Sequence, residues 1–166
     1  MNEFYKMPPM PKGAEKGILK GMYKFRAADD KRAKFKVHLF GSGTILNEAV
    51  RAQEMLRDEH GIAADVWSVT SYKNLYTEAM ETERRNMLHP EKAPVQPYLA
   101  RVLEKEKGVF VAASDYLKAL PASISAWIPG RLTALGTDGY GRSDTRSALR
   151  NFFEVDARHM AFAALA

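Results

Sequence analysis

No cysteine occurs in the chain, so neither a disulfide framework nor a thiolate metal site can be built, and the composition suits a reducing compartment. No apolar run reaches bilayer-spanning length. The first residues, broken by Pro8, Pro9 and Pro11, also lack the apolar core of a secretory signal. A cytoplasmic protein without membrane attachment is expected. The four histidines, His38, His60, His89 and His159, are scattered and show no Glu-x-x-His or His-x-His spacing for a metal. No G-x-S-x-G elbow presents a nucleophile, and Ser42 and Ser114 have no evident base nearby in sequence. Repeats and low-complexity tracts are missing too.

What is present suits one globular domain: 166 residues, 46% of them hydrophobic and 27% charged. The net charge of +5 is unevenly spread. Residues 1–36 carry ten Lys or Arg against four acidic residues, and the other 130 carry fifteen against sixteen. The body is thus neutral and the leading arm basic. That arm has no RNA-binding motif and no regular aromatic interleaving, so nucleic acid is not an expected partner.

Residues 35–71 organise the rest. FKVHLF at 35–40 reads as a strand, Gly41-Ser42-Gly43 breaks it, and 44–60 carries apolar residues at helical spacing. Ile45, Leu46, Ala49, Val50, Gln53 and Leu56 mark the inner face; Glu48 is among the residues read as outward. Thr44 is the expected N-cap and Gly61 the stop. A second strand at 64–70 completes a βαβ unit, whose strands lie side by side and parallel. His38 is placed on the outer face of its strand.

Upstream, residues 1–11 read as a proline-punctuated strap, favoured as a linker from a preceding domain. A strand at 21–27 and a polar turn at 29–34 suggest a hairpin into the central strand, so the first strand is an antiparallel edge guarded by lysine. Downstream, helices are expected at 71–87 (Leu75, Ala79 and Met80 inward), 98–106, 116–127, 145–153 and 156–166, and strands at 108–113 and 131–136. The fold class is α/β: three layers around a mostly parallel five-stranded sheet with one antiparallel edge strand. The apolar ending HMAFAALA suggests continuation beyond it.

Two stretches are candidates for binding. Gly41, Ser42 and Gly43 sit where a dinucleotide loop would sit, but the third glycine of G-x-G-x-x-G is replaced by Leu46 and no acid closes the second strand. A compact turn is the simpler reading, with weak anion binding at the helix start as the alternative. The run GTDGYGRSDTR at 136–146 follows the last parallel strand. Asp138, Gly139, Gly141, Arg142, Ser143 and Asp144 there form either a polar contact loop or a glycine loop with Ser143 or Asp144 as cap and Arg142 paired to a carboxylate.

NEFYKMPPMPKGAEKGILKGMYKF, GSGTIL, DVWSVTSYKNL, ERRNMLHPEKAPVQPYLA, ASDYLKALPASISAWIP and LGTDGYGRSDTRSALRNFFEVDARHMAFAAL cover nearly the whole chain. Together they resemble the C-terminal domain of the homodimeric, bacterial-type first component of the pyruvate dehydrogenase complex, in the transketolase superfamily. GTDGYGRSD followed by LRNFFEVD is the most specific match. The resemblance implies a transketolase C-terminal fold, with residues 1–20 as a strap from a missing middle domain and 21–166 as the C-terminal domain, cut short. For the whole enzyme it implies thiamine diphosphate and magnesium, pyruvate decarboxylation and reductive acetylation of a lipoyl group. The implied partners are the missing N-terminal and middle domains, a second subunit and the lipoyl acyltransferase component. In that family the cofactor is held by the missing domains, so no catalytic, cofactor or metal residue is implied here. A self-contained nucleotide- or anion-binding module is the alternative.

Overall fold

The computed structural model describes residues 6–30 and 36–166. Residues 1–5 of the expected strap, most of the polar turn at 29–34 and the start of the central strand fall outside the described residues.

β2 (Lys36–Gly41) and β3 (Ala64–Val69) are buried over almost their full length, because helices cover both faces of the sheet. Val37, Leu39, Ala64 and Val66 face one helical layer, while Phe40, Trp67 and Val69 face the other. The expected βαβ unit is present: α2 (Leu46–His60) joins the two strands, which pair in parallel from Val37 opposite Ala64 to Gly41 opposite Ser68. Gly61 ends α2 in the left-handed conformation at φ +63°. β4 (Gly108–Ala113) and β5 (Leu132–Leu135) extend the parallel sheet, and β1 (Met22–Arg26) is its antiparallel edge. The strand order is β1-β3-β2-β4-β5. α1 (Glu15–Lys20) leads into β1 through Gly21.

One layer holds α2 and α7 (Ala157–Leu165); the other holds α3 (Tyr72–Leu88) and α4 (Tyr98–Leu103). α5 (Ala119–Ala122) lies beside β5, and α6 (Arg146–Phe152) precedes α7. Ser71 caps α3 by accepting a hydrogen bond from the Asn74 amide at 3.1 Å. Ser71→Ala is expected to cost about 1 kcal/mol, read as a lower urea midpoint at unchanged slope.

The structure departs from the sequence expectations in several places. β1 is the antiparallel edge but pairs with β3, not with β2 in a hairpin. Lys24 explains part of this: its ammonium folds back to Asp65 at the start of β3 at 2.8 Å and covers the Trp67 ring, so it anchors the strand and does not guard an edge. The helix expected over 116–127 shrinks to α5 and a 3-10 turn, Ser125–Trp127. There the Lys118 amide is drawn to Asp138 at 2.9 Å, and Ser123 Oγ donates to the Leu120 carbonyl at 2.6 Å, competing with a helical ladder. Ala52 joins the inner face of α2, Val50 is half-buried, and Glu48 is buried rather than outward. On α3, Tyr72 is buried while Met80 is exposed. His38 is fully buried beneath that same layer, stacked on Phe110 with ring centroids 4.6 Å apart.

Candidate functional site

The carboxyl ends of parallel strands are where open α/β sheets hold ligands, and both candidate stretches lie there. Gly41 ends β2 where a Cβ would stand 2.7 Å from Leu46 Cα, so glycine is required for α2 to approach its strand closely. Gly43 needs glycine for its φ of +52°, with open space around it. The two glycines are thus explained by backbone geometry without a pyrophosphate. Thr44 does not cap α2; its hydroxyl donates to Asp115 Oδ2 at 3.2 Å and accepts from Arg150 Nη2 at 3.2 Å.

The loop after β5 leans on the same Asp115, because Thr137 Oγ1 donates to the Asp115 carbonyl at 2.6 Å. The two stretches therefore meet indirectly, through a residue the sequence reading did not single out. Within the loop Asp138, Arg142 and Asp144 each have a local partner. Asp138 accepts from the Lys118 amide at 2.9 Å, and its other oxygen lies 3.8 Å from Lys118 Nζ. Asp144 accepts from the Thr145 amide at 2.6 Å. Thr145, not Ser143 or Asp144, caps α6. Arg142 does not pair with a carboxylate: its guanidinium lies 3.9 Å over the Phe152 ring. Ser143 is exposed, and Tyr140, between Gly139 and Gly141, is 96% exposed.

Beside this edge, Glu48 ties the last two helices to α2. Its Oε1 accepts from Arg150 at 2.7 Å and Arg51 at 3.2 Å, and its Oε2 from the Ala157 amide at 3.2 Å. Glu48→Gln replaces a charged acceptor among three donors and should cost about 2 kcal/mol. Limited proteolysis should then cut first within 145–166.

A second network occupies the opposite end of the sheet. Lys24 Nζ donates to Asp65 at 2.8 Å and to Glu106 at 2.6 Å, and the Ala28 amide donates to the other Asp65 oxygen at 2.7 Å. Burial alone would raise the Asp65 pKa. The hydrogen bonds from Lys24 and Ala28, with the charges of Lys24 and Lys36, outweigh it and hold the carboxyl below its usual range. Burial also pushes the His38 pKa down, against the opposing pull of Glu106 and Asp65. Trp67 Nε1 donates to His38 Nδ1 at 3.4 Å, so the proton of the neutral ring sits on Nε2, 3.4 Å from the Lys107 carbonyl.

Neither network fits a thiamine diphosphate and magnesium site. His38, Asp65 and Glu106 have ligand atoms within 4.8 Å of one another, but the Lys24 ammonium already supplies the cation between the two carboxylates. At the carboxyl edge, Asp138 and Asp144 are each engaged by a backbone amide. Among the described residues, no helix is long and apolar enough to cross a membrane.

The layer order and the antiparallel edge define a transketolase-type C-terminal fold. A transketolase from Leishmania mexicana superposes with a TM-score of 0.59 at 16% identity, covering 95% of this chain and 19% of that one. A transketolase mutant from Pichia stipitis gives 0.61 at 15% identity, with 96% and 19% covered. By sequence, the chain belongs to the transketolase-like TK C-terminal domain family, which matches residues 21–156. It is 49% identical to the pyruvate dehydrogenase E1 component of Pseudomonas aeruginosa over 166 residues, 99% of this chain and 19% of that protein. The Escherichia coli protein of the same name is 45% identical, with 99% and 18% covered. The chain thus spans less than a fifth of the length of these relatives.

Proposed function

We propose that this chain serves as the C-terminal, non-catalytic domain of an acetyl-transferring pyruvate dehydrogenase. In the whole cytoplasmic enzyme, thiamine diphosphate and magnesium support pyruvate decarboxylation, and the acetyl group passes to the lipoyl arm of an acyltransferase component. The observation that carries this reading is the match of 99% of the chain, at 45–49% identity, to proteins of that name.

Residues 1–20 are assigned as the strap from the middle domain and 21–166 as the C-terminal domain, in keeping with a family match that begins at residue 21. The loop around Tyr140 and Arg142 is assigned to a contact with another domain or with the second subunit of a homodimer. Its supports are the exposed Tyr140 ring and the open space around Gly139 and Gly141. A split-gene transketolase is described as an inactive beta4 tetramer, and it superposes on 87% of this chain with a TM-score of 0.55.

The test is a chimera in which this chain replaces the matching segment of the Escherichia coli enzyme. Pyruvate-dependent acetylation of a lipoyl domain is expected to persist, and to vanish when the segment is deleted. The 166-residue chain alone should neither decarboxylate pyruvate nor bind thiamine diphosphate; a micromolar calorimetric isotherm for the cofactor would overturn the reading.

A further inference from the structure

A crevice of about 610 Å³ opens where the chain leaves β2, β3 and β4. Ser42 and Gly43 follow β2, Ser71 to Lys73 follow β3, and Tyr116 and Leu120 follow β4. Strand order reverses at β2, since β3 lies on one side of it and β4 on the other, and such a reversal is where α/β sheets open a binding crevice. The volume lies within the range of small-molecule pockets.

Two wall residues carry hydroxyls that the fold leaves unused. Ser42 is 6% exposed and Tyr72 2%, yet neither Ser42 Oγ nor Tyr72 Oη has a hydrogen-bond partner. Among the described residues these are the two buried side-chain polar atoms in that state, and both residues line the same crevice. A buried hydroxyl left unmade is a standing cost that a ligand atom can remove.

The rest of the lining narrows the chemistry. No aspartate or glutamate lines the crevice, whereas Glu48, Glu54, Asp58 and Glu59 line the groove beside α2 and α7. Lys73 stands at the crevice wall, and the positive end of the α2 run begins at Ser42, whose side chain makes no cap bond. These features favour an anion. With one lysine and no arginine in the lining, a single negative charge suits the site better than a phosphate dianion. Met7, Met10, Ile18 and Leu46 supply an apolar wall in which the methionines can adapt to a flexible chain. We propose that this crevice binds a small monocarboxylate with an apolar tail, its carboxylate accepting from Ser42 and Tyr72.

The test titrates the 166-residue chain with hexanoate, hexanol or acetate, following amide resonances by NMR. Hexanoate should shift residues 42–46 and 71–73 saturably and bind at least tenfold more tightly than either half-probe. Tyr72→Phe and Ser42→Ala each remove an unpaired hydroxyl, so both variants should fold, and each should weaken hexanoate about tenfold. If Tyr72→Phe fails to fold, Ser42→Ala decides. The proposal fails if no probe saturates, as expected were the hydroxyls to meet only ordered water. It also fails if hexanol binds as tightly as hexanoate, or if the folded variants bind hexanoate unchanged. None of these outcomes bears on the pyruvate dehydrogenase reading, which the chimera tests.

Discussion

Gly108→Ala should remove a large part of the domain's stability. Gly108 begins β4 with φ +144°, a conformation that L residues avoid, and a Cβ there would overlap the Lys36 carbonyl oxygen and stand 2.7 Å from its carbon. Both are backbone atoms of β2, so no side-chain rotation relieves the overlap. Relief requires β2 and β4 to separate where Lys36 pairs with Gly108, between two parallel strands in the interior of the sheet. The loss should exceed about 4 kcal/mol, a large share of the roughly 5–15 kcal/mol margin of an ordinary domain. Gly139→Ala separates steric overlap from backbone strain. Gly139 also has a positive φ, +88°, but its Cβ position is open, so the cost should be about 1–2 kcal/mol and the domain should stay folded. Circular dichroism and urea titration of both variants check the contrast; equal losses would show that the contact with Lys36 is not decisive.

The βαβ unit was legible because its evidence is local. Apolar alternatives with short range, a glycine break and a helical stripe from Ile45 to Leu56 all fall within one stretch, and each follows from the spacing of neighbours along the chain. Which strand β1 would join was not legible, because that choice rests on Lys24 reaching Asp65, forty-one residues away, and Glu106, eighty-two away. Glu48 misled for the same reason. Helical spacing put it outside, and two of its three donors, Arg150 and the Ala157 amide, lie more than a hundred residues later.

At the candidate site, sequence located the right edge of the sheet and favoured a compact turn at Gly41, but it did not find the partners of the polar groups around it. A glycine triplet after a strand looks the same whether its purpose is a bound anion or a helix that must approach closely. Gly41 is distinguished only by the position of Leu46 Cα. Arg142 offers a charge that sequence pairs with the nearest acid, whereas the fold supplies an aromatic face, Phe152, ten residues on. Asp115 lies beside Ser114 in an unremarked loop, yet both candidate stretches hang on it. The only signal available was its place at the end of β4, in register with Gly41 through Ala113.

Asp65→Asn should give the second large effect, and its pH dependence identifies the cause. The Asp65 side chain is fully buried and serves Lys24, Lys36 and the Ala28 amide together. Removing one partner of a buried pair costs about 3–5 kcal/mol; the lower end applies because Glu106 still neutralises Lys24, whose side chain is 31% exposed. Asp65 is held below the ordinary carboxylate value near 3.9, so its stabilisation is complete above that pH and is lost as pH falls through the depressed folded value. The difference between wild type and Asp65→Asn should therefore be constant near neutrality and shrink below about pH 4. His38 acts earlier and in the same direction. Its folded pKa is lowered, so the unfolded chain takes up a proton near pH 6.5 that the buried ring refuses, and stability falls from there down to the folded value. Without the Asp65 carboxylate that ring loses part of the pull favouring its charged form, so the decline beginning near pH 6.5 should run to lower pH in the variant. Urea titrations from pH 8 to pH 3 measure both effects. A difference that stays the same across the range would mean that Asp65 matters through shape alone, and that the charge on Lys24 is indifferent to its partner.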